Sequence, residues 1–149
     1  MCDHCGCREF GPIAELSAEH EQILDLAWRV AEDEWTDEAG RREGRAELAA
    51  ELALHATKEE LGLYPLLMGT GDLTEERCDR LEDEHREVHA VLDGEAFDRR
   101  AYYALAAHIE EEEMELFSGA MFAFGDDEWD EMDRAHHRAA HLHGVAHAH

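Results

Sequence analysis

Apolar residues recur every three or four positions along almost the whole chain, and this spacing is the strongest constraint on the fold. The first stretch of the pattern consists of Ile13, Leu16, His20, Ile23, Leu24, Ala27 and Val30. Steps of three and four place such side chains on one face of an α-helix. Pro12 and Pro65 are the only prolines, and we find neither an alternating strand pattern nor a repeat of fixed period. The sequence therefore predicts an all-α protein.

Polar and glycine-rich stretches divide the pattern into four long helices. The stretches "TDEAGRREGR", "GTGD" and "DGEAFD" indicate connections between them. Ser17, Thr74 and Asp98 are the predicted caps of the first, third and fourth helices, and the second helix is expected to end between about Pro65 and Met68. Long helices with modest loops predict an antiparallel up-down four-helix bundle over residues 12–124.

The 149 residues are enough for one domain with a sizeable core, and their charge is strongly acidic. A formal net charge of -25 argues against nucleic acid and anionic membranes as partners, because both need a basic surface. The acidic groups either form a solvated surface or attract cations. Because no apolar run is long enough for a transmembrane helix or a signal peptide, we expect a soluble, cytoplasmic protein.

Three of the predicted helices carry a pair of metal-binding residue types spaced by four positions. The pairs are His55 with Glu59, His85 with His89, and His108 with Glu112. Residues four apart lie on the same face of a helix, about 6 Å apart along its axis, and here that face is also the apolar one. One such pair by itself is typical of a surface hydrogen bond.

The joint pattern favours a different interpretation, because the first helix adds His20 on its own apolar face. Burying so many histidines and carboxylates without partners would cost several kcal/mol per group. A metal ion removes that cost, since neutral imidazole and ionised carboxylate are both metal ligands. The predicted metal ligands are His20, His55, Glu59, His85, His89, His108 and Glu112.

The order of these motifs resembles the hemerythrins and the hemerythrin-like HHE cation-binding domains. The resemblance covers about residues 13 to 124 and rests on the stretches "SAEHEQI", "HATKEELGLYP", "DEHREVH" and "HIEEEEMELF". Each stretch is a weak signal alone, but the ordered set H, HxxxE, HxxxH and HxxxE is specific. Proteins of this family include up-down bundles of four helices, so the resemblance implies the same fold for this chain.

The resemblance also implies a non-haem di-iron centre with a bridging oxo or hydroxo group. The implied ligands of one iron are His20 and His55, and those of the other are His85, His89 and His108. Glu59 and Glu112 would bridge the two ions. The animal oxygen carriers have an aspartate one position later in the last motif, where this chain has Glu113, so Glu113 is the alternative second bridge.

Ligand counting suggests what such a centre does. An iron with three histidines and three bridging oxygens is six-coordinate, whereas the iron with two histidines has five ligands and one open position. Dioxygen, peroxide or nitric oxide could attach there in the ferrous state. Five apolar residues are spaced to lie near the ligands, either as a solvent-poor pocket or as ordinary core: Leu24, Trp28, Leu63, Ile109 and Phe117.

Three functions are open at this point. The leading expectation is a protein that binds or senses dioxygen or a related small molecule. The alternative is an enzyme acting on hydrogen peroxide or nitric oxide, in a catalase-like or reductase-like reaction. The third is iron sensing or storage. The same ligands would serve all three functions, and nothing in the sequence indicates an oligomeric state.

The N-terminal residues 1–11 form a cysteine-rich tail. Cys2, Cys5 and Cys7 stand close to His4, which fits an additional metal or cluster site, a redox-active segment or plain disorder. The fourth cysteine, Cys78, is expected to be a small core or surface residue.

The C-terminal residues 125–149 begin with a segment that favours a short fifth helix and end in a histidine-rich stretch. Its histidines are His136, His137, His141, His143, His147 and His149. Their irregular spacing argues against an appended purification tag. His137 and His141 are four apart and could bind a metal ion weakly if helical, but we expect a disordered, metal-scavenging or solvated end rather than an ordered site.

Overall fold

A computed structural model describes residues 11–145, and the chain is helical through almost all of that span. The α-helices are α1 (Gly11–Ala31), α2 (Glu38–Lys58), α3 (Tyr64–Thr70), α4 (Glu75–Asp93), α5 (Arg99–Glu111), α6 (Phe117–Ala123) and α7 (Asp126–Leu142). Two π-helical segments, π1 (Glu59–Leu63) and π2 (Glu112–Leu116), join α2 to α3 and α5 to α6 without a break. No strand occurs between residues 11 and 145, which confirms the all-α prediction. Predictions about Cys2, His4, Cys5, Cys7, His147 and His149 concern residues outside the described ones.

Two of the three predicted helix caps are confirmed. The Thr74 side chain accepts a hydrogen bond from the backbone N–H of Arg77 at 3.1 Å, and Asp98 accepts one from Ala101 at 3.0 Å. Each bond satisfies a backbone donor in the first turn of its helix. The prediction for Ser17 is wrong, because Ser17 lies inside α1 and is buried.

The second helix begins earlier than the sequence suggested, because a tryptophan packs over its two glycines. α2 starts at Glu38, behind the cap Asp37, within the stretch predicted as a connection. A Cβ atom at Gly44 would lie 2.5 Å from the Trp35 ring, and one at Gly40 would lie 2.9 Å from it. Glycine normally disfavours a helix interior, but here it leaves room for Trp35 to cover the start of α2.

The long helices contact one another in a ring, and polar residues separate two apolar clusters in their interior. α1 contacts α2 and α5, and α4 contacts the same two helices. One cluster includes Leu16, Leu63, Leu81, Phe117 and the buried Cys78, and the other includes Ile23, Leu52, Leu92 and Leu105. The predicted metal ligands lie on α1, on α2 with π1, on α4, and on α5 with π2. In each of these stretches they stand, along the chain, between a residue of one cluster and a residue of the other.

α7 is an integral part of the fold and packs against α1, α2 and π1. It buries Met132, Ala135, His136 and Ala139. A Cβ at Gly62 of π1 would lie 3.1 Å from that of Ala135, so glycine allows the close approach. The predicted fifth helix is thereby confirmed. The expectation of a disordered end is wrong for its described part, because His136 is helical and fully buried.

The sequence predicts no transmembrane segment. None of the helices between residues 11 and 145 is both long enough and apolar enough to cross a membrane.

Candidate metal centre

Six of the seven predicted ligands converge in the interior, in two overlapping groups. Position A is formed by His20, His55, Glu59 and Glu112, and position B by Glu59, His85, His108 and Glu112. In each group, one potential ligand atom from every residue lies within 4.8 Å of the others. All six side chains are buried. The two glutamates belong to both groups, which is the arrangement expected of bridging carboxylates.

The two glutamates are the first residues of the π-helical segments. The backbone N–H of Tyr64 bonds to the carbonyl of Glu59, and that of Phe117 bonds to the carbonyl of Glu112, five residues back in each case. Pro65 follows π1 and cannot donate an α-helical bond, but no proline follows π2. Proline therefore does not account for both segments. What the two segments share is that each begins at a glutamate of the candidate metal centre. Single π turns inside α-helices are frequent at functional sites.

Glu59 directs one oxygen toward each position. Its Oε2 lies 3.0 Å from Nε2 of His55 and 3.7 Å from Nε2 of His20, both at position A. Its Oε1 lies 3.2 Å from Nε2 of His85 at position B. This carboxylate can therefore bridge two ions through its two different oxygens.

Glu112 is arranged differently. Its Oε1 lies 3.2 Å from Nε2 of His20 and 3.5 Å from Nε2 of His108, so a single oxygen faces both positions. Its Oε2 accepts a hydrogen bond from the hydroxyl of Tyr64 at 2.5 Å. The two bridging carboxylates are thus not equivalent.

Four buried atoms of the centre make no hydrogen bond of normal geometry, although each lies 3.0 to 3.7 Å from at least one of the others. They are Nε2 of His20, Nε2 of His55, Oε2 of Glu59 and Oε1 of Glu112. Leaving buried polar atoms unsatisfied is costly, and all four belong to position A. A divalent metal ion would satisfy them together. Imidazole nitrogens with carboxylate oxygens suit iron, manganese and zinc, so the donor set fits a metal without fixing its identity.

A second set of carboxylates holds the other ring nitrogen of every histidine in the two groups. We name Glu19, Glu60, Glu84 and Glu113 the outer carboxylates. Each accepts a hydrogen bond from the Nδ1 of one histidine. The pairs are His55 with Glu19 (2.8 Å), His85 with Glu60 (2.6 Å), His108 with Glu84 (2.7 Å) and His20 with Glu113 (2.8 Å). A carboxylate at Nδ1 fixes the ring orientation and leaves Nε2 free to bind a metal.

The sequence analysis missed the role of the outer carboxylates. Glu113 was weighed as an alternative bridge, but it lies at Nδ1 of His20, whereas Glu112 lies between the two positions. A signal was nevertheless present, because every outer carboxylate is the chain neighbour of a residue in one of the two groups. Such neighbours were hard to single out in a chain with 38 acidic residues.

The carboxylates and histidines of the centre perturb one another's protonation strongly. Burial lowers the pKa of His85, but hydrogen bonds to Glu59 and Glu60 outweigh it and raise this pKa to about 10. Burial also lowers the pKa of His108, but the charge of Glu112 outweighs it and raises this pKa to about 9. Since metal ions bind neutral imidazole, metal binding at position B has to compete with protons.

The centre is built from two halves with matching motifs. The first half (α1, α2, π1 and α3) carries "EH" at residues 19–20 and HxxxEE at residues 55–60. The second half (α4, α5, π2 and α6) carries "EH" at residues 84–85 and HxxxEE at residues 108–113. Each half supplies two histidines, one bridging glutamate and two outer carboxylates. The sequence analysis missed this repeat, because the motifs are further apart along the chain in the first half.

An aromatic residue follows the bridging glutamate by five positions in both halves, and this is where the halves differ. Tyr64 stacks on His85, with ring centroids 5.9 Å apart and planes inclined by 13°. Phe117 stacks on His20, with ring centroids 5.4 Å apart and planes inclined by 4°. Each ring therefore covers a histidine of the other half, but only Tyr64 brings a hydroxyl. The sequence analysis placed Phe117 near the ligands and did not select Tyr64.

His89 is the one predicted ligand that belongs to neither group. It lies one helical turn, about 6 Å, beyond His85 along α4 and is half-buried. Burial and the charge of His85 lower its pKa. In this arrangement each position has two histidines, rather than two at one position and three at the other.

A cavity of about 190 Å³ adjoins position B. His85 and His108 line it together with Glu84 and apolar side chains that include Val88 and Leu105. The predicted pocket residues divide between two places. Leu63, Ile109 and Phe117 are buried, whereas Leu24 and Trp28 line a larger, separate cavity of about 540 Å³ that contains none of the six ligands.

A buried charged network supports position A from behind. Lys58 is buried and pairs with Glu15 at 3.0 Å and with the outer carboxylate Glu19. Glu15 in turn lies 2.7 Å from Nδ1 of His136 on α7. Burial raises the pKa of Glu15, but the bonds to His136 and Lys58 outweigh it and hold this pKa far below its usual range. The network connects α7 to His55 through Glu19.

Comparisons with protein-family models, with curated proteins and with solved structures find no match for this chain. The case for its function therefore rests on the residues and geometry of the centre.

Proposed function

We propose that this protein is hemerythrin-like: an antiparallel up-down four-helix bundle whose non-haem di-iron centre binds or senses dioxygen or a related small molecule. The observation that carries the proposal is the pair of four-residue groups that share two buried glutamates. A site for one ion would not need two glutamates that each face histidines of both halves.

The six converging residues give the two ions similar ligands. His20 and His55 would hold one ion, His85 and His108 the other, and Glu59 and Glu112 would bridge them. Two ferrous ions with an additional bridging oxo or hydroxo group would supply the electrons and the open coordination positions that dioxygen binding requires. With two histidines at each position, ligand counting alone no longer favours position A as the open one.

The cavity beside position B favours this position, rather than position A, as the place where a small molecule binds. The cavity beside it is lined by two of its histidines, so a small molecule can approach this position from the side of α4 and α5. At about 190 Å³ the cavity suits a diatomic molecule or peroxide better than a large organic substrate. Val88 and Leu105 form part of its apolar wall, and Glu84 orients His108 there.

Metal analysis of the purified protein provides the first test. We expect about two iron ions per chain, because two bridging carboxylates are more than one ion needs. His20→Ala and His85→Ala should each lower the content to about one, since each removes a histidine of one position only. A wild-type content of one ion, or zinc in every preparation, would contradict the di-iron assignment.

Stopped-flow spectroscopy of the reduced protein separates binding from turnover. A spectral change on mixing with dioxygen that reverses when the gas is removed supports binding or sensing. Rapid consumption of hydrogen peroxide or nitric oxide supports the enzyme instead. Release of iron without a reversible spectral change supports iron storage.

A further inference from the structure

The phenol of Tyr64 lies inside the metal centre, and no step of the proposed function uses it. The side chain is fully buried, and its hydroxyl donates to Oε2 of Glu112 at 2.5 Å. The hydroxyl oxygen also lies 3.4 Å from Oε1 of Glu59 and 3.4 Å from Nε2 of His85. Three of the six ligand residues thus surround this one hydroxyl.

The matching motifs of the two halves show that this hydroxyl is not needed to build the bundle. The equivalent residue of the second half is Phe117, which is buried and stacks on His20 much as Tyr64 stacks on His85. The same backbone position after a π turn therefore accepts a ring with or without a hydroxyl. What Tyr64 adds is a hydrogen-bond donor aimed at a bridging carboxylate.

The two bridging glutamates differ in which of their oxygens face the metal positions, and only Glu112 accepts the short hydrogen bond from Tyr64. Glu59 faces position A with Oε2 and position B with Oε1. Glu112 faces both positions with Oε1, while its Oε2 accepts the hydrogen bond from Tyr64. A phenol that holds one carboxylate oxygen fixes the orientation of the carboxylate, so the other oxygen is the one presented to both ions.

We propose that Tyr64 is a positioning residue that makes the two metal positions inequivalent, by holding one oxygen of Glu112 and leaving the other to serve both positions. This assignment deepens the proposed function and rests on it. Its consequence is that the two ions differ in coordination although the two halves offer them the same histidines and glutamates.

The test uses the full-length protein loaded with ferrous iron-57 and measures its Mössbauer spectrum. The variant is Tyr64→Phe, which removes one oxygen and adds no atom, so circular dichroism should show an unchanged helical fold. Tyr103→Phe is the matched control, because it makes the same chemical change at a side chain that is 60% exposed. The double variant Tyr64→Phe/Phe117→Tyr moves the hydroxyl to the other half.

We expect two quadrupole doublets of equal area in the wild type and in Tyr103→Phe. In Tyr64→Phe the iron content should stay the same while the difference between the doublets narrows, because the phenol no longer fixes the orientation of the Glu112 carboxylate and its Oε2 can turn toward one of the ions. The double variant should restore the difference. A merely structural role for Tyr64 would leave the doublets unchanged.

Two results would overturn the assignment while leaving the di-iron proposal intact. One is a Tyr64→Phe spectrum with the wild-type doublets at full iron content. The other is a visible phenolate-to-iron absorption band in the oxidised wild type that Tyr64→Phe lacks, since the phenol would then be a ligand itself. A wild type with fewer than two ions would refute the proposed function, and the assignment of Tyr64 would fail with it.

Discussion

The first and second halves of the centre offer equal ligands but stand in unequal surroundings. Behind position A lies the buried network of Lys58, Glu15 and His136, which α7 closes from outside. Beside position B lies a cavity, and its outer carboxylate Glu84 pairs with the half-exposed Arg80 at 3.1 Å. The comparison indicates that the repeated motifs set the arrangement of the candidate ligands, whereas the residues packed behind each half determine whether a cavity lies beside it.

The aromatic residues reinforce the difference. Phe117 gives position A an apolar cover, whereas Tyr64 brings a hydroxyl to the side of position B. The two positions therefore differ in the side chains that cover them.

Removing a shared residue should have the largest effect, because it damages both positions at once. Glu59→Gln and Glu112→Gln keep the shape of the side chain but remove its charge, and each should weaken metal binding by more than about 100-fold at both positions. Elemental analysis after desalting measures the loss. Glu113→Gln is the comparison variant and should lose clearly less iron, because Glu113 holds Nδ1 of His20 and does not lie between the two positions.

If Glu113→Gln lost as much iron as Glu112→Gln, the glutamate between the two positions would have been misassigned. The two halves would then be joined by different carboxylates from those that the geometry indicates.

The outer carboxylates give an intermediate effect that should distinguish the halves. Glu19→Gln and Glu84→Gln remove equivalent bonds to His55 and His108, so each should weaken metal binding by about 10- to 100-fold. Glu19→Gln should also lower the free energy of unfolding of the metal-free protein by about 2 kcal/mol, because buried Lys58 loses a partner. Glu84→Gln should cost less than about 1 kcal/mol, since its pair with Arg80 is partly exposed.

Chelator competition measures the affinities, and urea denaturation of the metal-free variants measures the stabilities. Equal losses of stability in the two variants would mean that the network behind position A contributes nothing beyond the exposed pair behind position B.

The smallest effect is expected at His89, and it tests whether the halves really have equal ligands. His89→Ala should keep two iron ions per chain and change the affinity by no more than about twofold, because His89 belongs to neither ligand group. His108→Ala is the matched control and should lose the ion at position B. One ion in His89→Ala would instead support the three-histidine position that the family resemblance implies.

The all-α class and the convergence of six of the seven candidate ligands could be predicted because periodicity and spacing act together. His20, and the HxxxE pairs that begin at His55 and His108, lie on helix faces that are otherwise apolar, and a polar residue there needs a partner. The pair of His85 and His89 has the same spacing, but spacing does not specify which member of a pair reaches the interior. That depends on where α4 meets the centre along its length, which is a tertiary property.

Tyr64 and the π turns were beyond the reach of the sequence for related reasons. A tyrosine on an apolar face is usually a core residue, and its hydroxyl is assigned only when its neighbours in space are known. A π turn adds a residue to the helix, so it shifts the register of everything that follows. The equal five-residue spacing from Glu59 to Tyr64 and from Glu112 to Phe117 is present in the sequence, but the stacking of the two rings on histidines of the opposite half is seen only in the structure.

The burial of Lys58 has a practical consequence, because it is the single lysine in the chain. Its amine lies between α1 and α2 and pairs with Glu15 and Glu19, so reagents that acylate side-chain amines meet a protected target in the folded protein. We therefore expect modification of this residue to be slow in the folded protein and faster whenever α1 and α2 separate. The rate at which the peptide containing Lys58 gains the mass of one acyl group would therefore measure how often α1 and α2 separate. No residue has to be mutated for this measurement, because the chain has a single lysine.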